Sequence, residues 1–336
     1  YRIIEYFKES WESPFILTTI VQLTNTLFKD RSSNIRRFSK LINSIIIIDE
    51  IQSLPAKAVY NFNLMTNFLT HIMNCSVLHC TATQPNFDSK SALKYPCLYA
   101  DTLGNLGQAA GRLAVFDRVE YFSLLEPGKA LNTQELSEKI KEQLETEKSA
   151  LIVLNTKNAV LKLYNALKSI KEGDCEFVYL TSNQCAKHRL NIIRDMKKKL
   201  KALRNGNGRK LVCISTNLVE AGVDIDFDLV FRSITGLDRA VQCVGRCNRE
   251  GTKKNGKGKL FLFEYLEENL NHLPEFGRQR EASLAVLRSL ENQINHRIDI
   301  ETACDYYFEK LFANYESQGS VLEFPIFKEK SADTII

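Results

Sequence analysis

Four consecutive isoleucines, Ile45–Ile48, run straight into Asp49, Glu50, Ile51 and Gln52. An unbroken β-branched run of this length reads as a central parallel strand buried on both faces. Parallel sheets take their ligands at the carboxyl ends of their strands. Two carboxylates at that end suit a nucleoside triphosphatase: the first holds magnesium, directly or through a metal-bound water, and the second orients or deprotonates the attacking water. The competing reading is a strand that stops in two solvated acids.

The rest of the chain repeats the strand-then-helix rhythm that builds parallel α/β sheets. In the first part, Phe15–Thr19 reads as a strand, Val21–Phe28 as a helix, and Ile45–Ile48 as a strand. An Asn- and Leu-rich helix follows over about Ala58–Met73, then a strand over Ser76–Cys80 that ends in Thr81-Ala82-Thr83. The looser, glycine-bearing stretch Leu103–Leu113 marks a domain boundary. Beyond it, strands are expected at Val119–Leu124, Ala150–Leu154, Phe177–Leu180, Leu211–Ser215, Leu229–Arg232 and Leu260–Phe263, the last closing the sheet. Leu136, Ile140 and Leu144 share one helix face, and Ala159–Leu167 forms another helix. Leu190, Ile193, Met196, Leu200 and Leu203 mark the buried stripe of a long helix whose other face is basic, and a further helix spans about Asp238–Cys247. From about Glu267 the text is helical and charged. The expected fold is α/β: an incomplete first parallel-sheet domain over 1–115, a complete second one over 116–265, and a helical C-terminal region over 266–336.

With 336 residues, 44% hydrophobic and 25% charged, the chain suits a globular protein of about two domains. No apolar run reaches the length of a membrane span, and no signal-peptide pattern opens the chain. The nine cysteines form no Cys-x-x-Cys pair and read as reduced thiols of a cytoplasmic protein. Cys243 and Cys247 lack further ligands at zinc spacing. The net charge of +5 gathers in two groups, Lys197–Lys210 and Arg249–Lys259. They fit a polyanion partner and equally a solvated helix face.

Four strand-end segments carry the chemistry: Asp49–Gln52; Thr81–Thr83; Ser215–Asp224; and Gln242–Gly251. In the last, Gln242, Arg246 and Arg249 fall at i, i+4 and i+7, one face of a helix. Gly245 lets a backbone or phosphate approach closely. Arginine suits a terminal phosphate because its planar fork stays charged and binds two oxygens. A helix face salt-bridged to a neighbour is the alternative.

In order and spacing, these segments resemble motifs II, III, V and VI of the DExD/H-box superfamily 2 helicases. Asp49–Pro55, Leu218–Asp228, Leu237–Gln242 and Gly245–Gly251 are similar, more closely, to the CRISPR-associated helicase-nuclease of type I systems. Asn155-Thr156-Lys157 resembles that family's motif IV. Tyr179-Leu180 with His188-Arg189-Leu190 resembles its motif between IV and V. The likeness covers roughly residues 14–265.

This resemblance implies two RecA-like domains with ATP and magnesium between them. Asp49 would hold the magnesium and Glu50 the attacking water. Arg246 and Arg249 would be arginine fingers, with Gln242 on the same catalytic helix. Asp224 would approach the ribose, beside Gly222, Gly245 and Gln52. Gln52 with Thr81 and Thr83 would couple nucleotide state to DNA grip. Single-stranded DNA would meet Thr18, Thr19, Gln22, Thr81 and Thr83 in the first domain, and Asn155, Thr156, Ser215 and Thr216 in the second. Strand propensity also explains Thr18 and Thr19, and a turn or helix cap also explains Ser215, Thr216 and Asn217.

The chain departs from the family in one respect. Gly251-x-x-x-x-Gly256-Lys257 mimics a phosphate loop, but Gly258 stands where Ser or Thr must ligate magnesium. It reads as a basic surface loop. The family's phosphate loop and its His-Asp nuclease domain are expected upstream of Tyr1 or on a separate chain. On this reading the chain alone has little ATPase and no nuclease activity. The complete protein would be a DNA translocase recruited by a guide-RNA surveillance complex. The alternative is a non-catalytic nucleic-acid-binding or assembly module on a helicase-derived fold.

Overall fold

The computed structural model describes residues 10–98, 118–169, 175–219, 223–251, 256–290, 297–319 and 321. The chain divides into two units: Tyr1–Thr102 with Phe308–Ile336, and Leu103–Tyr307. The boundary expected at Leu103–Leu113 lies outside the described residues.

In the first unit, helices α1 (Ile20–Phe28) and α2 (Ser32–Ser39) precede strand β1 (Ile45–Asp49). A crossover through α3 (Val59–His71) leads to β2 (Ser76–Cys80), which pairs parallel with β1 from Ile45↔Ser76 to Asp49↔Cys80. The asparagines of α3 have a structural use. Asn63 is fully buried and its Nδ2 donates to Phe87 O (3.1 Å) and Tyr95 O (3.0 Å). Asn67 Nδ2 donates to Pro96 O at 3.0 Å, and Leu98 N donates to Asn67 Oδ1 at 2.8 Å. These bonds tie the segment after β2 onto the helix. His79, in β2, packs between Phe62 and Phe87. Burial lowers its pKa, which keeps the ring neutral at physiological pH.

Two expectations for this unit are corrected. Phe15–Thr19 is not a strand; it is an irregular approach to α1, with Phe15 and Leu17 exposed. β1 is not buried on both faces. Ile48 is 6% exposed, but Ile45 is 77% and Ile47 65% exposed. Side chains alternate across a strand, so Ile45 and Ile47 share the uncovered face of this two-stranded sheet.

The second unit is a six-stranded, all-parallel sheet in the order β3-β8-β7-β4-β6-β5. Its strands are β3 (Val119–Ser123), β4 (Ser149–Val153), β5 (Cys175–Leu180), β6 (Lys210–Ser215), β7 (Leu229–Ser233) and β8 (Gly258–Phe263). β8 therefore lies inside the sheet, and β3 is the edge, where the sequence reading put β8. Flanking helices are α4 (Thr133–Thr146), α5 (Lys157–Ser169), α6 (Ala186–Arg204) and α7 (Leu237–Val244). All of β4 and β7 and nearly all of β6 are buried, as their unbroken apolar runs require. Leu136, Ile140 and Leu144 of α4 enter the same core as Ile152, Leu163, Phe231 and Phe263. A capping box starts α4: Asn132 accepts from Gln134 N and Glu135 N, and Glu135 accepts from Asn132 N. That last bond holds the Glu135 carboxyl below its ordinary pKa. On α6 the stripe is shorter than expected, because Leu190 is exposed while Met196, Leu200 and Leu203 are buried.

Helices α8 (Pro274–Ser289) and α9 (Ile300–Ser317) form the helical C-terminal region. Among the described residues, no helix is long and apolar enough to cross a membrane.

Burial pushes the thiols of Cys213 and Cys304 up to about 12, whereas Cys185, before α6, is exposed. Thiolate is the reactive form. A disulfide-exchange reagent at pH 8 is expected to modify Cys185 in the folded chain, and Cys213 and Cys304 only after unfolding. Mass mapping of the modified peptides checks this.

Candidate functional sites at the strand ends

At the end of β1, Asp49 closes the strand and Glu50 adopts a left-handed backbone conformation (φ 53°, ψ 45°). A non-glycine residue held there costs about 1–3 kcal/mol and points to a constrained site. The turn sends the chain into a short 3-10 helix, Ile51–Ser53, and leaves both carboxylates exposed. Asp49 Oδ1 accepts from Glu50 N at 3.0 Å. Gln52, which is buried, donates through Nε2 to Glu50 Oε2. Its Oε1 accepts from Thr81 Oγ1, at the end of β2. Thr81 Oγ1 also lies 2.6 Å from Thr83 O and accepts from Thr83 N at 3.2 Å. One chain of hydrogen bonds thus runs from Glu50 through Gln52 and Thr81 to Thr83, linking the ends of both strands.

Thr19 proves to be the N-cap of α1, its Oγ1 accepting from Gln22 N at 3.2 Å. Helix capping therefore accounts for a residue whose competing reading was strand propensity. Thr18 is exposed and Gln22 half-buried.

In the second unit, two residues expected to touch DNA are turned inward. Ser215 is fully buried, with Oγ 3.1 Å from Leu180 O and 2.8 Å from Thr216 O. Asn155 is buried among protein partners. Its Oδ1 accepts from Arg232 Nη1 (2.8 Å), and its Nδ2 donates to Glu268 Oε2 (2.7 Å). Both side chains are engaged within the fold. Thr156 and Thr216 remain half-exposed, and Thr156 Oγ1 accepts from Ala159 N at the start of α5 (3.3 Å).

The geometry around the arginines also differs from the expected helix face. α7 stops at Val244 with Gly245 as its C-cap, so Arg246 and Arg249 lie on the following turn. The cause is pairing with the segment before β7: Phe227 N donates to Arg246 O, and Asn248 N to Phe227 O, both at 2.9 Å. Asn248 takes φ 45° to make the turn. Gly245 is not a point of close approach by another segment; an added Cβ would meet only Gln242 O, at 3.3 Å. Gln242 is half-buried on α7. Arg246 is buried, its Nε donating to Val219 O at 2.8 Å. Arg249 is exposed and pairs with Asp224 at 3.1 Å, and Lys197 reaches the same carboxylate at 3.6 Å. Gly222 lies outside the described residues.

Several structural carboxylates and basic groups escaped sequence reasoning. Asp226 accepts from Arg249 N (2.8 Å), Glu250 N (3.1 Å) and the Arg204 guanidinium, and so fixes the arginine-bearing turn. Asp228 accepts from Ser149 N (3.0 Å) and Ser149 Oγ (2.8 Å). The alternation Asp224-Ile-Asp226-Phe-Asp228 was the available signal. Lys199 pairs with Glu176 and Asp195, and Arg204 with Asp226 and Glu250, so part of the basic group on α6 is neutralised internally.

Both sheets are all-parallel, with helices joining and flanking their strands, which defines an α/β protein. Residues 146–252 match the family model described as "CRISPR-associated nuclease/helicase Cas3, C-terminal". A protein of that name from Methanothermobacter thermautotrophicus is 29% identical over 164 residues, which cover 48% of this chain and 19% of the relative. One from Haloferax volcanii is 53% identical over 45 residues, covering 13% of this chain and 5% of the relative. The crystal structure of T. fusca Cas3-ATP shares the fold, with a TM-score of 0.64 at 16% identity over 91% of this chain and 41% of that one. A chain of the "CRISPR RNA-guided surveillance complex, pre-nicking" does so with a TM-score of 0.62 at 14% identity, over 95% of this chain and 45% of that one. Residues 146–252 therefore resemble the Cas3-like C-terminal family, and the chain as a whole is similar to the helicase region of Cas3 proteins. It spans less than half of each of these relatives.

Proposed function

We propose that this chain is part of the motor of an ATP-dependent, DExD/H-box-type DNA helicase that translocates on single-stranded DNA in type I CRISPR interference. The observation that carries this reading is the hydrogen-bonded path Glu50–Gln52–Thr81–Thr83. It ties a solvent-facing carboxylate pair to a second strand end, which a motor needs if the state of its nucleotide is to change its grip on DNA.

Asp49 offers exposed oxygens of the hard type that magnesium prefers, and would hold that ion. Bound magnesium supplies charge neutralisation on the phosphates. Glu50 would orient the attacking water and take its proton at Oε1 or Oε2; Gln52 Nε2 fixes the carboxylate for that role. Arg249, beside Asp224, would serve as the finger on the terminal phosphate, and Arg246 would brace the loop that presents it. Thr18, Gln22, Thr156 and Thr216 would contact the DNA backbone, giving sequence-tolerant, salt-dependent binding. The uncovered face of Ile45 and Ile47 would receive further elements of the first domain, including the phosphate loop that these 336 residues lack. The relatives' names support a nuclease domain elsewhere in the protein, and the structural neighbour supports a guide-RNA surveillance complex as partner; the complete protein would act in the cytoplasm.

The absent phosphate loop favours a second reading for this chain in isolation, as a nucleic-acid-binding module without turnover. An ATPase assay with single-stranded DNA separates the two. The expected result is stimulated hydrolysis by the complete protein and little by this chain. A complete protein that binds DNA without hydrolysing ATP would leave the binding-module reading in its place.

A further inference from the structure

Arg232 lies in β7 and is 1% exposed. A guanidinium this deep is costly to desolvate unless its donors are met. Nη1 donates to Asn155 Oδ1 (2.8 Å), Ser233 O (2.7 Å) and, at 3.5 Å, Val153 O. Nη2 donates to Thr235 Oγ1 (3.0 Å) and Asn217 Oδ1 (3.3 Å). These five acceptors are uncharged, and they come from three places: the ends of β4, β6 and β7. β4 lies between β6 and β7 in the sheet, at the point where the strand order reverses. That reversal is where parallel sheets open a ligand crevice.

Glu268 grips the same cluster from the other side. Its carboxylate accepts from Asn155 N, from Asn155 Nδ2 (2.7 Å) and from Ser233 Oγ (2.6 Å). The positive fork and the carboxylate are thus joined through Asn155, whose side chain both use. Ser283 of α8 donates to Thr235 O and fixes the third loop.

We propose that Arg232 is a positioning residue, a three-way clamp that holds the loops after β4, β6 and β7 in one register so that Thr156, Thr216 and Asn217 present a single polar surface. The ligand assigned to that surface, a single-stranded nucleic-acid backbone, rests on the function proposed above; the clamp itself does not. An apolar residue would fill the space at lower desolvation cost. A planar fork with fixed donor directions sets distances between three loops, which no apolar residue can do.

The clamp is tested on the free chain by amide hydrogen exchange. In Arg232→Met, the amides of Asn155, Thr216 and Ile234 are expected to exchange at least tenfold faster, while Leu131 and Leu211, whose amides donate to Glu264 O and Lys148 O away from the clamp, stay near wild type. Glu268→Gln should speed Asn155 and leave Thr216 unchanged. Arg232→Lys, which keeps the charge and loses the fork, should lie between; it also serves if the Met variant fails to fold. Uniform acceleration across the unit, or none at the three loops, overturns the clamp. Binding of labelled oligo-dT gives the second arm. Arg232→Met should weaken it about tenfold with an unchanged slope of log K against log salt. A slope that falls by about 0.7 would mean a lost phosphate contact, and would overturn positioning in favour of direct contact. If the wild-type chain fails to bind oligo-dT, the assigned ligand is wrong and exchange still decides the clamp.

Discussion

Replacing Arg249 by alanine in the complete protein is expected to lower DNA-stimulated ATP hydrolysis by about 10³-fold or more, the scale at which arginine fingers act. Stability should barely change. The Arg249–Asp224 pair is exposed, and exposed pairs contribute about 0–1 kcal/mol. Arg246→Ala should lose hydrolysis for a different reason. Its buried Nε bond to Val219 O is a charge-assisted one, worth about 1.5–3 kcal/mol, so this variant should also melt several degrees lower. DNA affinity should survive in Arg249→Ala, because that side chain is not among the proposed DNA contacts. Turnover, melting temperature and oligonucleotide affinity, measured on both variants, separate the roles. A rate for Arg249→Ala within tenfold of wild type would remove it as the finger.

The contrast between these neighbours shows what a sequence can carry. Spacing at i, i+4 and i+7 suggested one helix face for Gln242, Arg246 and Arg249. It missed that Phe227 captures the chain after Val244 through two backbone bonds, a long-range pairing that no local pattern encodes. The strands of the second unit were legible because a strand buried on both faces must be apolar throughout, and β4, β6 and β7 are nearly so. The fully buried charge among them, Arg232 in Leu-Val-Phe-Arg-Ser, marked a side chain that bonds to three strand ends, and passed unread. Ile45–Ile48 were legible as a strand and misleading as to burial, because composition reports what a surface could cover and not what covers it. Asn155 and Ser215 were placed at the right strand ends; whether a polar side chain there turns inward depends on partners such as Arg232, Glu268 and Leu180, which are distant in sequence.

Gly258 carries the second large effect. The sequence places it in a basic surface loop, the remnant of a false phosphate-loop pattern. In the structure it is buried, begins β8, and donates its N–H to Arg118 O at 2.8 Å. A Cβ added there would sit 2.6 Å from Cys247 Sγ and 3.0 Å from Asn248 Cβ. Neither neighbour can yield freely. Cys247 is buried and bridges to Phe227, and Asn248 already holds a positive φ on the turn that carries Arg249. Overpacking of this kind costs about 1–3 kcal/mol, and in a unit of this size each kcal/mol lowers Tm by about 2–4 °C. Gly258→Ala is therefore expected to melt about 5 °C lower and, because the strain falls on the Asn248 turn, to lower hydrolysis in the complete protein as well. Cys247→Ala removes the sulfur that the new methyl meets and should relieve part of the loss. The double variant should then be more stable than the sum of the two single changes by about 1 kcal/mol. Additive losses, or a melting temperature for Gly258→Ala within 1 °C of wild type (~0.3–0.5 kcal/mol), would show that the strand start can shift away, and that close packing against Cys247 is not why glycine stands there.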